Sequence, residues 1–118
     1  MDQWTIYYNP RCGSCQKALK ILKEKGIKPT VVEYLKNPLS IKNLNLLLRK
    51  LRVSPMEIIR SKEPMFEKLK LGEGEKSRED LLRAVSENPV LLQRPIVVSD
   101  NGRAVIARPP ENVLALFE

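Results

Sequence analysis

Tyr8-Asn9-Pro10-Arg11-Cys12-Gly13-Ser14-Cys15 holds both cysteines of the chain, separated by two residues. The run before it, Trp4-Thr5-Ile6-Tyr7-Tyr8, is apolar and reads as a strand. Behind it, Cys15, Ala18, Leu19 and Leu22 recur at helical spacing, with Lys17, Lys20, Lys23 and Glu24 on the other faces. The stretch is therefore a strand, a tight turn and a helix, with Cys12 in the turn. A thiol there meets the unpaired N–H groups of the first helical turn and the positive end of the helix dipole. Both favour thiolate over thiol, and Arg11 adds a positive charge next door. The thiolate is the nucleophilic form, so Cys12 is a candidate reactive cysteine.

Outward from that helix, Gly26 is a helix stop. Thr30-Val31-Val32-Glu33-Tyr34-Leu35 is a β-branched run that reads as a second strand. Two strands joined by one helix make a βαβ unit with parallel strands. Asn37-Pro38 breaks the chain, and Ser40 is an N-cap candidate before Ile41, Leu44, Leu47, Leu48 and Leu51 at helical spacing. Val53-Ser54-Pro55 starts a short helix carrying Met56, Ile58 and Ile59 up to Arg60. Residues 61–66 read as a loop or a short helical turn, and 72–75 as a loop. Ser77-Arg78-Glu79-Asp80 matches a capping box before Leu81, Leu82 and Val85, and Asn88-Pro89 ends that helix. Residues 38–92 are thus almost all helical.

The strands resume with Gln93-Arg94-Pro95-Ile96-Val97-Val98. Asp100-Asn101-Gly102 is a hairpin signal, and Ala104-Val105-Ile106-Ala107 returns. Pro110 suits the first turn of a last helix, from which Val113, Leu114 and Phe117 are expected to face inward. The order is βαβ, helices, ββα. It predicts an α/β, thioredoxin-like (glutaredoxin-like) fold: a mixed four-stranded sheet with helices on both faces and a helical insertion at about 38–92, all in one domain spanning 1–118.

Composition narrows the function only a little. At 118 residues, 42% hydrophobic and 30% charged, the chain has the balance of a soluble globular domain. No apolar run approaches the ~20 residues of a membrane span. Met1-Asp2-Gln3-Trp4 lacks the basic-then-apolar character of a signal peptide, so a cytoplasmic location is expected. Thiols are normally reduced there, and a close cysteine pair reads as catalytic rather than structural. A zinc site would need two more Cys or His, and the chain has neither. The net charge of +7 suits a nucleic-acid binder or an enzyme acting on an anion. The basic residues are spread out and aromatics are only 5%, so a nucleic-acid surface is not expected.

Three arginines stand at element ends: Arg60 before a loop, Arg94 directly before Pro95, and Arg108 directly after the last strand. In the thioredoxin-like layout the loop before the third strand lies beside the first strand–helix turn. A cis proline commonly occupies that place, and Pro95 is the candidate. That brings Arg94 near Cys12. A guanidinium is always charged and presents a fork of donors that suits a tetrahedral oxyanion. Any one of these arginines also reads as a surface ion pair; three at loop edges point towards an anion site.

Over roughly residues 5–117 the chain resembles the glutaredoxin-coupled arsenate reductase family, the ArsC type. The resemblance is carried by Tyr8-Asn9-Pro10-Arg11-Cys12-Gly13-Ser14, Pro29-Thr30, Tyr34-Leu35, Ile59-Arg60 with Glu63-Pro64, Asn88-Pro89, Arg94-Pro95-Ile96-Val97-Val98 and Arg108-Pro109. It implies that Cys12 attacks arsenic in arsenate, while Arg60, Arg94 and Arg108 hold the oxyanion. Asn9, Arg11, Gly13, Ser14 and Pro95 match supporting positions. Glutathione as co-substrate would then reduce arsenic(V) to arsenic(III), and glutaredoxin would resolve the mixed disulfide. No metal or bound organic cofactor is implied, and the expected form is a monomer.

Two departures from the family pattern stand out. Relatives often carry a histidine four residues before the cysteine; here that place holds Tyr8, and the chain has no histidine. Thiolate stabilisation then rests on the helix terminus and the arginines, with the Tyr8 hydroxyl as a further donor. Well-known members usually lack a cysteine at the place of Cys15. Its presence allows a Cys12–Cys15 disulfide as the resolving step, with thioredoxin as reductant. Alternatively, Cys15 is a small buried hydrophobe on the inner helix face. Two other readings share the layout. Spx-type regulators bind RNA polymerase and use a CxxC switch, and they resemble the chain at Cys12, Cys15 and Arg94-Pro95-Ile96. Arg60 with Glu63-Pro64, Arg108-Pro109 and an end one helix after the last strand favour the reductase. A generic thiol–disulfide oxidoreductase would use Cys12 to attack and Cys15 to resolve.

Overall fold

The computed structural model describes residues 3–118; Met1 and Asp2, part of the stretch read above for a signal peptide, lie outside the described residues. The chain divides into two compact units, residues 1–37 with 94–118 and residues 38–93.

The first unit contains β1 (Thr5–Tyr8), α1 (Gly13–Glu24), β2 (Thr30–Glu33), β3 (Ile96–Val98), β4 (Ala104–Ile106) and a terminal 3₁₀ segment, Pro110–Phe117. The four strands form one mixed sheet in the order β2-β1-β3-β4. β1 runs parallel to β2 and antiparallel to β3, and β3 antiparallel to β4. Ile6 lies opposite Val97, and Val97 opposite Val105. Directly opposed residues share a face, so these three form one apolar row across the sheet. Ala18 and Leu22 of α1, Ala107, and Val113 and Leu116 of the terminal segment join Ile6 and Val97 in a buried core. Truncating a wholly buried Leu22 to Ala in such a core costs about 2–5 kcal/mol. Gly26 closes α1 at φ 80°, a left-handed conformation that glycine adopts without strain, and Ile27 N–H reaches back to Leu22 O at 2.9 Å.

The second unit contains α2 (Ile41–Leu51), a 3₁₀ turn at Pro55–Ile58, α3 (Pro64–Lys68), α4 (Arg78–Glu87) and a second 3₁₀ turn at Pro89–Leu91. The expected caps are in place: Ser40 Oγ accepts from Asn43 N–H at 3.1 Å, and Ser77 and Asp80 form a reciprocal capping box. α2 buries Leu44, Leu47 and Leu48. An antiparallel bridge pairs Ile59 with Leu92, the residues just after the two 3₁₀ turns.

Three details depart from the sequence reading. β2 stops at Glu33, so Tyr34 and Leu35 fall in a turn, Tyr34 wholly buried and Leu35 exposed. The short helix read as running up to Arg60 is a 3₁₀ turn that ends at Ile58, with Ile59 already extended. The last helix is 3₁₀, not α. With roughly three residues per turn, Pro110, Val113 and Leu116 line up inward, and Leu114 and Phe117 turn outward. Phe117 stacks on Trp4, with ring centroids 4.9 Å apart.

Candidate active site

The turn after β1 is built by its own polar groups. Asn9 Oδ1 accepts from Arg11 N–H at 3.0 Å, and Asn9 O accepts from Cys12 N–H at 3.0 Å. Gln16 Nε2 donates to Pro10 O at 2.7 Å and ties the turn to α1. Asparagine favours such turns because its side chain bonds the backbone two residues on. The result is Cys12 at the N-cap of α1 in an extended conformation, with no acidic residue in the first helical turn.

Cys12 is 8% exposed. Burial alone would raise its pKa. Opposing that are the N–H of Cys15, the Arg94 guanidinium, the Cys15 thiol and the N–H of Ser14, and together they hold Cys12 below the ordinary thiol value. Cys15 behaves in the opposite way. It is wholly buried, and that burial pushes its thiol up to about 12, with the neighbouring Cys12 sulfur adding to the rise. Its Sγ accepts from Asn9 N–H at 3.5 Å. Among the described residues the two thiols are free. A lowered and a raised thiol side by side divide the roles: Cys12 is the group that ionises, and Cys15 a donor beneath it.

Arg94 precedes β3, and the Arg94–Pro95 peptide is cis, as expected for Pro95. Pro95 O accepts from Ala107 N–H at 2.8 Å, which anchors this loop to the end of β4. Arg94 Nε is buried without a hydrogen-bond partner among the described residues. Arg108, exposed after β4, also precedes a cis proline. Its carbonyl accepts from Asn112 Nδ2 at 3.3 Å. Neither Arg94 nor Arg108 forms an ion pair among the described residues. Arg60 belongs to the other unit. There its N–H donates to Leu91 O at 2.7 Å, and its Nε lies 3.9 Å from Glu63, while Nη1 is buried without a partner among the described residues.

Cys12, Cys15, Ser14, Asn9 and Arg94 thus come together, while Arg11 and Gly13 are exposed. A Cβ added at Gly13 would meet nothing within 4 Å, so the space over the helix start is open. Tyr8 packs against the core and is not among the groups acting on Cys12. The tyrosine that joins the site is Tyr34. Its pKa is pushed up to about 12 by burial, and it senses the charges of Arg94, Cys15 and Cys12. Sequence reasoning missed it because the run 30–35 reads as one regular strand. Among the described residues no group of three or more His, Cys, Asp or Glu could hold a metal ion.

A thiol at a helix start, on a sheet ordered β2-β1-β3-β4 with a cis proline opening β3, defines the class as thioredoxin-like thiol proteins. The ArsC family model matches residues 7–116, and the chain belongs to that family. The chain is 44% identical over 115 residues to the uncharacterised protein YfgD of Escherichia coli strain K12, covering 97% of this chain and 96% of that one. It is 43% identical over 113 residues to an arsenate reductase of Rhizobium meliloti strain 1021, covering 96% and 80%. Its fold superposes on the arsenate reductase from Vibrio cholerae with a TM-score of 0.93 at 37% identity, covering 97% of each chain.

Proposed function

We propose that this chain is an arsenate reductase, acting as one ArsC-type domain and as a monomer in the cytoplasm. The observation that carries the reading is the Cys12 thiol, held below its ordinary pKa by a helix N-terminus and Arg94. Cys12 thiolate attacks arsenic, an S–As(V) bond forms, and one arsenate oxygen leaves as water after taking up protons. Arg60, Arg94 and Arg108 bind the remaining oxygens and offset the charge that builds up. Glutathione then attacks the adduct. Its thiol and that of Cys12 supply the two electrons that take arsenic(V) to arsenic(III), giving arsenite and a Cys12–glutathione disulfide. Glutaredoxin removes the glutathione. Asn9 shapes the turn, Ser14 supplies an N–H to the thiolate, and Pro95 sets the Arg94 loop; Arg11 adds positive charge, and Gly13 keeps the approach open. The family resemblance supplies the roles of Arg60 and Arg108.

Cys15 supports Cys12 rather than resolving it. Its burial and a thiol pushed up to about 12 make it a slow attacking group at neutral pH, which favours glutathione over an internal disulfide. The test is arsenate-dependent NADPH oxidation in two mixtures, one with glutathione, glutaredoxin and glutathione reductase, the other with thioredoxin and thioredoxin reductase. Turnover in the first alone is expected. Turnover in the second alone would make Cys15 the resolving thiol. Silence in both from folded, reduced protein would overturn the reductase and leave the polymerase-binding redox switch as the reading to pursue.

A further inference from the structure

Tyr34 is wholly buried, and its hydroxyl has no hydrogen-bond partner among the described residues. The Asn9 side chain approaches it, yet no atom meets full hydrogen-bond geometry. Arg94 Nε, a donor in the same unit, is also buried and has no partner among the described residues. Arg94 is the strongest charge that the Tyr34 hydroxyl faces. Buried polar atoms are nearly always paired, and each orphan costs about 1–3 kcal/mol. Two buried orphans of complementary type, a donor and a hydroxyl oxygen, on side chains whose charges act on one another call for a shared explanation. In the resting protein the Arg94 guanidinium lowers the pKa of the Cys12 thiol. An oxyanion over Cys12 would draw the guanidinium's outer nitrogens towards its oxygens.

We propose that Tyr34 is a positioning residue for Arg94, its hydroxyl accepting from Arg94 Nε–H when the outer guanidinium nitrogens take up the oxyanion over Cys12. The orphan pair closes only in the loaded site, so its hydrogen bond adds to oxyanion binding and not to the stability of the free protein. Tyr34 itself is too deeply buried to touch substrate and acts through Arg94. This inference rests on the oxyanion reading of the site.

The test uses Tyr34→Phe, which removes one oxygen and leaves the ring in place. Cys12 is labelled with iodoacetamide under increasing arsenate, without glutathione, and labelling at Cys12 is located by mass spectrometry. The arsenate concentration for half-protection is expected to rise about tenfold in Tyr34→Phe, the loss of one charge-assisted hydrogen bond. In an Arg94→Ala background the same change is expected to do nothing further, because the two act as a pair. The melting temperature of unliganded Tyr34→Phe should equal or exceed that of the wild type. Unchanged half-protection would overturn the proposal, as would an equal weakening in both backgrounds or a clear fall in melting temperature. No arsenate protection of the wild type would also overturn it. Wild-type protection without turnover in either reductant mixture would sink the reductase reading alone, and the Tyr34–Arg94 coupling would still be decided by the variants.

Discussion

α1 and α4 begin in different ways. α4 starts at Ser77, whose Oγ accepts from Asp80 N–H at 3.0 Å, with Asp80 reaching back to Ser77 N–H. α1 starts at Cys12 with no side-chain cap, and the N–H groups of its first turn face a sulfur. At α4 the orphan donors of a helix start are satisfied by the best residues for that purpose. At α1 no side chain caps them, and the N–H groups of Ser14 and Cys15 lower the pKa of the Cys12 thiol. The difference teaches that α1 forgoes the side-chain cap that stabilises α4, which is what the chemistry proposed for Cys12 requires.

Cys12→Ser strains this comparison most. It should bring arsenate turnover to background in the coupled assay, because a hydroxyl is a poor nucleophile for arsenic and no redox group. Serine is also a preferred N-cap, so the same variant should be more stable by up to about 1 kcal/mol in denaturant unfolding. Loss of both activity and stability would show that α1 is not the uncapped helix described.

Next come the arginines. Arg94→Ala should lower kcat/KM by about 10²–10³, the range for a lost transition-state donor, and Arg60→Ala and Arg108→Ala should fall in the same range. Only Arg94→Ala is expected to move the midpoint of Cys12 alkylation to higher pH, since Arg94 favours the thiolate in the resting protein. Arg83→Ala on α4 is the control. It breaks an exposed pair with Glu79 at 3.0 Å and should leave turnover unchanged.

Ser77→Ala sharpens the other side. It should cost about 1 kcal/mol in denaturant unfolding without changing the rate of Cys12 labelling. The smallest effect is that of pH on stability. Cys15 is pushed up to about 12, so folding favours its neutral thiol. That contribution is complete below the unfolded value of about 8.5 and is lost as pH rises from there towards about 12. The loss sets in near pH 8.5, and Cys15→Ala should flatten it.

Much of the fold was legible because its signals are local. Cys15, Ala18 and Leu22 mark the inner face of α1, Gly26 its end, and Ser40 and Ser77 the starts of two helices. What escaped was set by packing. Pro110, Val113 and Leu116 keep a three-residue period that an eye tuned to 3.6 reads as α-helix. The burial of Tyr34 in a turn was hidden in a run that looks like continuous strand.

By itself, the sequence determined where the thiol sits. A strand, an Asn-Pro turn and a helical pattern put Cys12 at a helix start, and capping and dipole effects act within a single turn. Tertiary structure alone decided what surrounds it. The fold brings Arg94 from a distant loop to where its charge acts on Cys12, buries Cys15 until its thiol resists ionisation, and leaves Tyr34 and Arg94 with groups unpaired among the described residues. Desolvation and long-range charge depend on what packs around a group, and no spacing along the chain encodes that.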